Sequence, residues 1–273
     1  MRFFLPAAAA VILAATACSS GRGEPAADSP AATASIAEQD VVYTADGTTL
    51  KGFMAAPGDT SRKRPGVLVV HEWWGHNEHA RAQARRLAEA GYVGLALDMY
   101  GDGKNTTHPD SANAFMMQAV SDQGRMVGRF RAALAELRRD PRVDSTQVAA
   151  IGYCFGGMVV LSMARAGEPL VAVGSFHGAI PPEAPVDSGS VKARMLILTG
   201  GADPMVPAAQ VDAFAAAMRK AGAQVDVVTY PAAMHGFTNP RADSAGVPGL
   251  HYDAAVDAQS WDALRKMLSE VFR

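Results

Sequence analysis

The chain has 273 residues, 49% of them apolar, with 25 Lys+Arg against 27 Asp+Glu and a net charge of −2. That is enough to bury the core of one large α/β domain, and the near-balance of charge, without any basic run, excludes a nucleic-acid groove. Two cysteines are too few for a disulfide framework.

The N-terminal stretch "MRFFLPAAAAVILAATAC" has one arginine, an apolar core too short to span a membrane, and small residues leading to Cys18. It resembles a bacterial lipoprotein signal: residues 1–18 as the signal peptide, with Cys18 as the lipid-bearing residue. An ordinary cleaved secretion signal is the alternative, and either reading makes the protein exported, to the periplasm or the cell surface. Residues 19–35 are rich in Ala, Ser, Pro and Gly and read as a flexible linker, so a folded domain is expected over residues 36–273. With Cys18 spent on export, Cys154 is a single thiol in an oxidising compartment and needs either burial or a task.

"DVVYTADGTTLKGFMAAP" alternates around Asp46-Gly47 and predicts a hairpin. Short aliphatic runs then predict strands at Val67–His71, Val93–Leu97, Val148–Gly152, Val171–Phe176, Met195–Thr199 and Val225–Tyr230, each covered on both faces. Helices are expected between them: one capped by Asn77 and ending near Gly91, then Asp122–Leu137, Phe155–Ala166, Pro207–Ala221 and Ala255–Val271. A hairpin followed by repeated βα units implies an α/β fold in one domain, its mostly parallel sheet flanked by helices on both faces. The polar stretches Tyr100–Asn113 and Asn239–Asp253 are expected as loops at the strand C-termini, where ligands bind.

"VAAIGYCFGGMVV" is the most specific segment. A strand ends at Gly152, Cys154 occupies a sharp turn, and a helix starts at Phe155. Gly152 and Gly156 flank the cysteine where side chains would crowd a tight strand-to-helix turn. The thiol stands at a helix N-terminus, which favours an anion, and the Phe155 N–H is free for a developing oxyanion. This is the pattern of a nucleophile elbow with Cys in place of Ser. An acid and a base should follow in that order, and "GGADPMVP" and "MHGFTNP" supply Asp203 and His235, each just past a strand. Asp98 and His177 also follow strands and are the competing acid and base; they read better as a loop anchor and a wall residue.

"HEWWGHNEH" places histidines at 71, 76 and 79 and could suggest zinc. His71 and His76 lie five residues apart, which on a helix rotates the rings by about 140° away from each other, and the segment follows a strand. A metal site is therefore not expected. His71 reads as a structural histidine, and residues 76–79 as a solvent-facing helix start.

Together "HEWWG", "ALDMYG", "GYCFGG", "GGADPMVP" and "HGF" resemble the dienelactone hydrolase family of α/β-hydrolases, from about Ile36 to the C-terminus. The resemblance implies an ester or lactone hydrolase with Cys154, Asp203 and His235 as its triad, needing no metal or organic cofactor. It gives Glu72 the role of a carboxylate that contacts the resting nucleophile and moves when substrate enters, and gives the Trp73 and Phe155 amides the oxyanion. Members that act on dienelactone hold its carboxylate with arginines in the loop after "DxY" and four residues past the histidine. Those positions offer Lys104 and Asn239 here, with Arg241 two residues further on. Neither Lys nor Asn reproduces the arginine fork, so the substrate is expected to differ. Trp74, Tyr100, Lys104, His177, Phe237 and Arg241 are candidate substrate contacts. The expected partner is a small ester or lactone, bound by a monomer tethered to a membrane. The opposing reading is a lipid-tethered binding protein on an inactive hydrolase scaffold.

Overall fold

The aliphatic runs become strands because their side chains alternate between two apolar layers. In β3 (Arg64–Val70), Leu68 and Val70 join one core cluster while Val67 and Val69 join the other. The computed structural model describes Met1, Phe3, Phe4 and residues 35–272. The proposed signal, the linker up to residue 34 and Cys18 lie outside the described residues. Among the described residues no helix is long and apolar enough to cross a membrane.

β1 (Ile36–Ala45) and β2 (Thr48–Pro57) form the expected hairpin, with Asp46 and Gly47 both at positive φ. The remaining strands are β4 (Val93–Leu97), β5 (Val143–Tyr153), β6 (Ala172–Phe176), β7 (Arg194–Gly200) and β8 (Val225–Tyr230). They form one sheet in the order β1-β2-β4-β3-β5-β6-β7-β8, antiparallel at the hairpin edge and parallel from β4 onward. Helices α1 (Glu78–Glu89) and α6 (Ala254–Val271) pack on one face through Ala84, Leu87, Trp261 and Leu264. The other face is covered by α3 (Gln123–Arg139), α4 (Phe155–Arg165) and α5 (Ala208–Lys220), through Phe130, Leu137, Val160 and Phe214. Asn77 caps α1 as its sequence suggests, its Oδ1 accepting from the His79 and Ala80 amides.

Three expectations are corrected. The stretch read as a loop over Tyr100–Asn113 contains the start of a further helix, α2 (Pro109–Val120). Pro109 reads as a loop breaker but sits at the first helical position, where its missing N–H needs no partner. His71 lies one residue beyond β3 rather than closing it. His76 is buried, not solvent-facing, because its amide pairs with the Lys104 carbonyl and draws the segment beneath the loop after β4.

Candidate active site

The C-termini of β3, β5, β7 and β8 present the functional side chains along one edge. Cys154 follows β5 directly and caps α4 with φ 53° and ψ −114°, a strained conformation for a side-chain-bearing residue. The neighbouring glycines make it possible. A Cβ on Gly152 would fall 2.0 Å from the Gly156 carbonyl oxygen, and one on Gly156 would fall 2.3 Å from that of Val70. The Cys154 N–H donates to the Phe176 carbonyl at 3.0 Å, fixing the turn against β6. The thiol remains partly exposed.

His235 and Asp203 stand on the turns after β8 and β7. Their side chains are joined by a 2.8 Å hydrogen bond from Nδ1 to Oδ2, and both are buried. Asp203 Oδ1 is separately occupied by the Met205 and Val206 amides, at 2.7 and 3.2 Å. The other imidazole nitrogen, Nε2, is buried and makes no regular hydrogen bond among the described residues. Burial alone would pull the His235 pKa down. The charge of Cys154 and the hydrogen bond to Asp203 outweigh it and lift the pKa from 6.5 to about 10. The sulfur is thus close enough to act on the ring without a formed hydrogen bond.

His177 lies behind the base, its ring 5.1 Å from that of His235 and its Nε2 2.8 Å from Thr238 Oγ1. Burial, followed by the neighbouring His235, holds its pKa well below the usual value, so it is a neutral support. It is fully enclosed, as is Phe237, which packs against His177 and Tyr230. Neither lines an open cavity, and the expectation that they touch substrate is corrected for both.

The segment after β3 is held just as firmly. His71 Nε2 accepts from the Met99 amide at 3.2 Å, so Nδ1 carries the proton and donates to the Glu72 carbonyl at 2.6 Å. Both ring nitrogens are engaged, leaving neither for a metal, and burial lowers the pKa to about 4. Tyr100 is buried and its hydroxyl donates to the Trp73 carbonyl at 3.0 Å, so it orients that peptide rather than forming a wall. The Trp73 and Phe155 amides donate to no other group among the described residues. Asp98 anchors the loop after β4, accepting from the amides of Lys51, Tyr100, Gly101 and Gly103 at 2.7–3.1 Å. That engagement leaves it unsuited to pair with His235.

Glu72 departs from its expected place. Its Oε2 accepts from Asn239 Nδ2 at 2.5 Å, and no hydrogen bond to Cys154 is formed. Both residues are buried. The sequence reading saw Asn239 only as a missing arginine; its position on the His235 turn, four residues on, was the signal that it would reach Glu72. Beside this pair lies a cavity of about 440 Å³ whose lining includes Trp74, His79, Asn239 and Arg241. Lys104 is exposed and lines a different, far smaller space. The largest cavity, about 830 Å³, lies away from Cys154, between the Ile180–Pro185 segment and α5.

A parallel-sheet α/β fold with a strand–Cys–helix elbow and a buried His–Asp pair at the strand C-termini defines the α/β-hydrolase class. Residues 50–272 match the Dienelactone hydrolase family, and the chain belongs to that family, whose members hydrolyse ester and lactone bonds. A protein of Methylorubrum extorquens named as an inferred carboxymethylenebutenolidase is 34% identical over 185 residues, 63% of each chain. One of Yersinia pestis with the same name is 29% identical over 80% of this chain and 83% of its own. Among solved structures, a dienelactone hydrolase-like promiscuous phosphotriesterase from metagenomic libraries is 38% identical, covering 87% of this chain and 99% of its own, with a TM-score of 0.84.

Proposed function

We propose that the protein hydrolyses ester or lactone bonds with Cys154 as nucleophile, His235 as proton carrier and Asp203 as the group that fixes the imidazole. The observation that carries this reading is the 2.8 Å Asp203–His235 bond, which leaves Nε2 unpartnered and under the influence of a cysteine held in a strained elbow. The thiol proton passes to His235 Nε2, and Sγ forms a bond to the carbonyl carbon. The displaced electron pair rests on the carbonyl oxygen, facing the Trp73 and Phe155 amides. On collapse the alkoxide leaves with the proton from Nε2. Water then gives a proton to Nε2 and attacks the thioester, and the sulfur leaves as the acid forms.

The test is a panel of small aryl esters and lactones, with a phosphotriester added because the 38% identical neighbour is a promiscuous phosphotriesterase. Hydrolysis of at least one carboxylic ester or lactone is expected, and it should disappear when Cys154 is alkylated by iodoacetamide. An enzyme fully labelled at Cys154 that still hydrolyses the panel at its original rate contradicts the nucleophile. A protein that binds these compounds without turning over any of them would be the tethered binding protein instead.

A further inference from the structure

Asn239 is fixed at both ends. Its Oδ1 accepts from the Arg241 backbone N–H at 2.9 Å, a group that can only donate, so Nδ2 is the end that faces Glu72. The buried Glu72 carboxylate is therefore held by an uncharged donor, and among the described residues no Lys or Arg side chain forms an ion pair with it. The cavity beside the pair repeats this character. His79 Nε2 reaches its wall buried and without a hydrogen-bond partner. Burial lowers the His79 pKa, so that ring is neutral, and the Arg241 side chain is exposed at the rim. Ala82, Pro240 and Ala245 complete an otherwise apolar lining.

A substrate carboxylate entering here would meet a buried like charge with only an amide between them. Repulsion of that kind is large in a low-dielectric site, and a solvent-screened arginine at the rim offsets little of it. An uncharged group meets no such barrier and can accept from or donate to His79 Nε2. We propose that Asn239 is a specificity-determining residue that selects uncharged esters and lactones over those bearing a carboxylate. This inference rests on the Cys154 reading above. Asn239 stands on the same turn as His235, its amide donating to the Gly236 carbonyl at 2.9 Å, so what it selects is presented to the reacting groups.

The experiment compares p-nitrophenyl hexanoate with p-nitrophenyl hydrogen adipate, in which a carboxylate replaces the terminal methyl, at pH 7. The wild-type kcat/KM should favour the hexanoate by about tenfold or more, the scale on which one uncompensated buried charge acts. Asn239→Arg should move the ratio toward the adipate by about tenfold, chiefly through KM, because the guanidinium pairs with both carboxylates. Asn239→Asp, nearly identical in shape, should move it the other way and keeps the test available if the arginine variant does not fold. A wild type that prefers the adipate, or a ratio unmoved in both variants while Cys154→Ala is inactive, overturns the selectivity alone. A Cys154→Ala enzyme as fast as wild type on both esters overturns the nucleophile, and the selectivity with it.

Discussion

Replacing Asp203 by Asn is expected to lower kcat/KM on an aryl ester by roughly 10³–10⁴-fold, the scale seen when the orienting carboxylate of a triad loses its charge but not its shape. The two oxygens of Asp203 have different work. Oδ1 accepts from the Met205 and Val206 amides, and Oδ2 accepts from His235 Nδ1. An asparagine must keep its single oxygen toward the two amides, because leaving both unpaired in a buried turn costs about 1–3 kcal/mol each. Its NH₂ group then faces Nδ1. Two donors cannot share that contact, so the imidazole shifts its proton to Nε2. The nitrogen that should accept the thiol proton then carries one already. The loss of the carboxylate also removes a group that raises the His235 pKa. Steady-state kinetics with a melting curve decides the matter. The expected pattern is a large fall in kcat/KM with Tm within a few degrees of wild type, and a variant within tenfold of wild type would remove Asp203 from the mechanism.

Gly152→Ala should act through the fold. A methyl at this position lies 2.0 Å from the Gly156 carbonyl oxygen and 2.2 Å from its carbon. Both contacts are with helix backbone that cannot swing aside as a flexible side chain would. Relief requires α4 to slide along the sheet, yet Gly156 is itself wedged against the Val70 carbonyl, where its own Cβ would fall at 2.3 Å. Overpacking of this sort costs about 3 kcal/mol or more. For a unit of this size the corresponding fall in Tm is roughly 6–12 °C. Activity should fall with it, because the shift moves Cys154 and the Phe155 amide together. A Tm within 1–2 °C of wild type, measured by calorimetry, would mean that the elbow is looser than the packing implies.

The same packing explains why so much of this fold is visible in the sequence. Strands β4 and β8 fall on the residues that periodicity assigns, because short aliphatic runs between Gly- and Asp-bearing turns have few alternatives. Cys154, Asp203 and His235 were legible for a related reason: each occupies the first turn past a buried strand, and that placement is written in local glycines and loop residues. Helix α2 escaped because "PDSANAFMMQAV" has a weak apolar stripe and buries only Ala112 and Ala119. The Glu72–Asn239 bond escaped for a different reason. It joins residues 167 positions apart, and no local pattern reports a contact that only the sheet order creates. His76 is similar, since its burial depends on the loop after β4 closing over it.

The most direct measurement is rapid acid quenching during turnover of an aryl ester, followed by peptide mass analysis. The mechanism predicts an acyl group on the peptide containing Cys154, rising and then decaying as free acid appears. Consumption of the ester with no acyl group on Cys154 at any quench time, and with another side chain acylated instead, would contradict it.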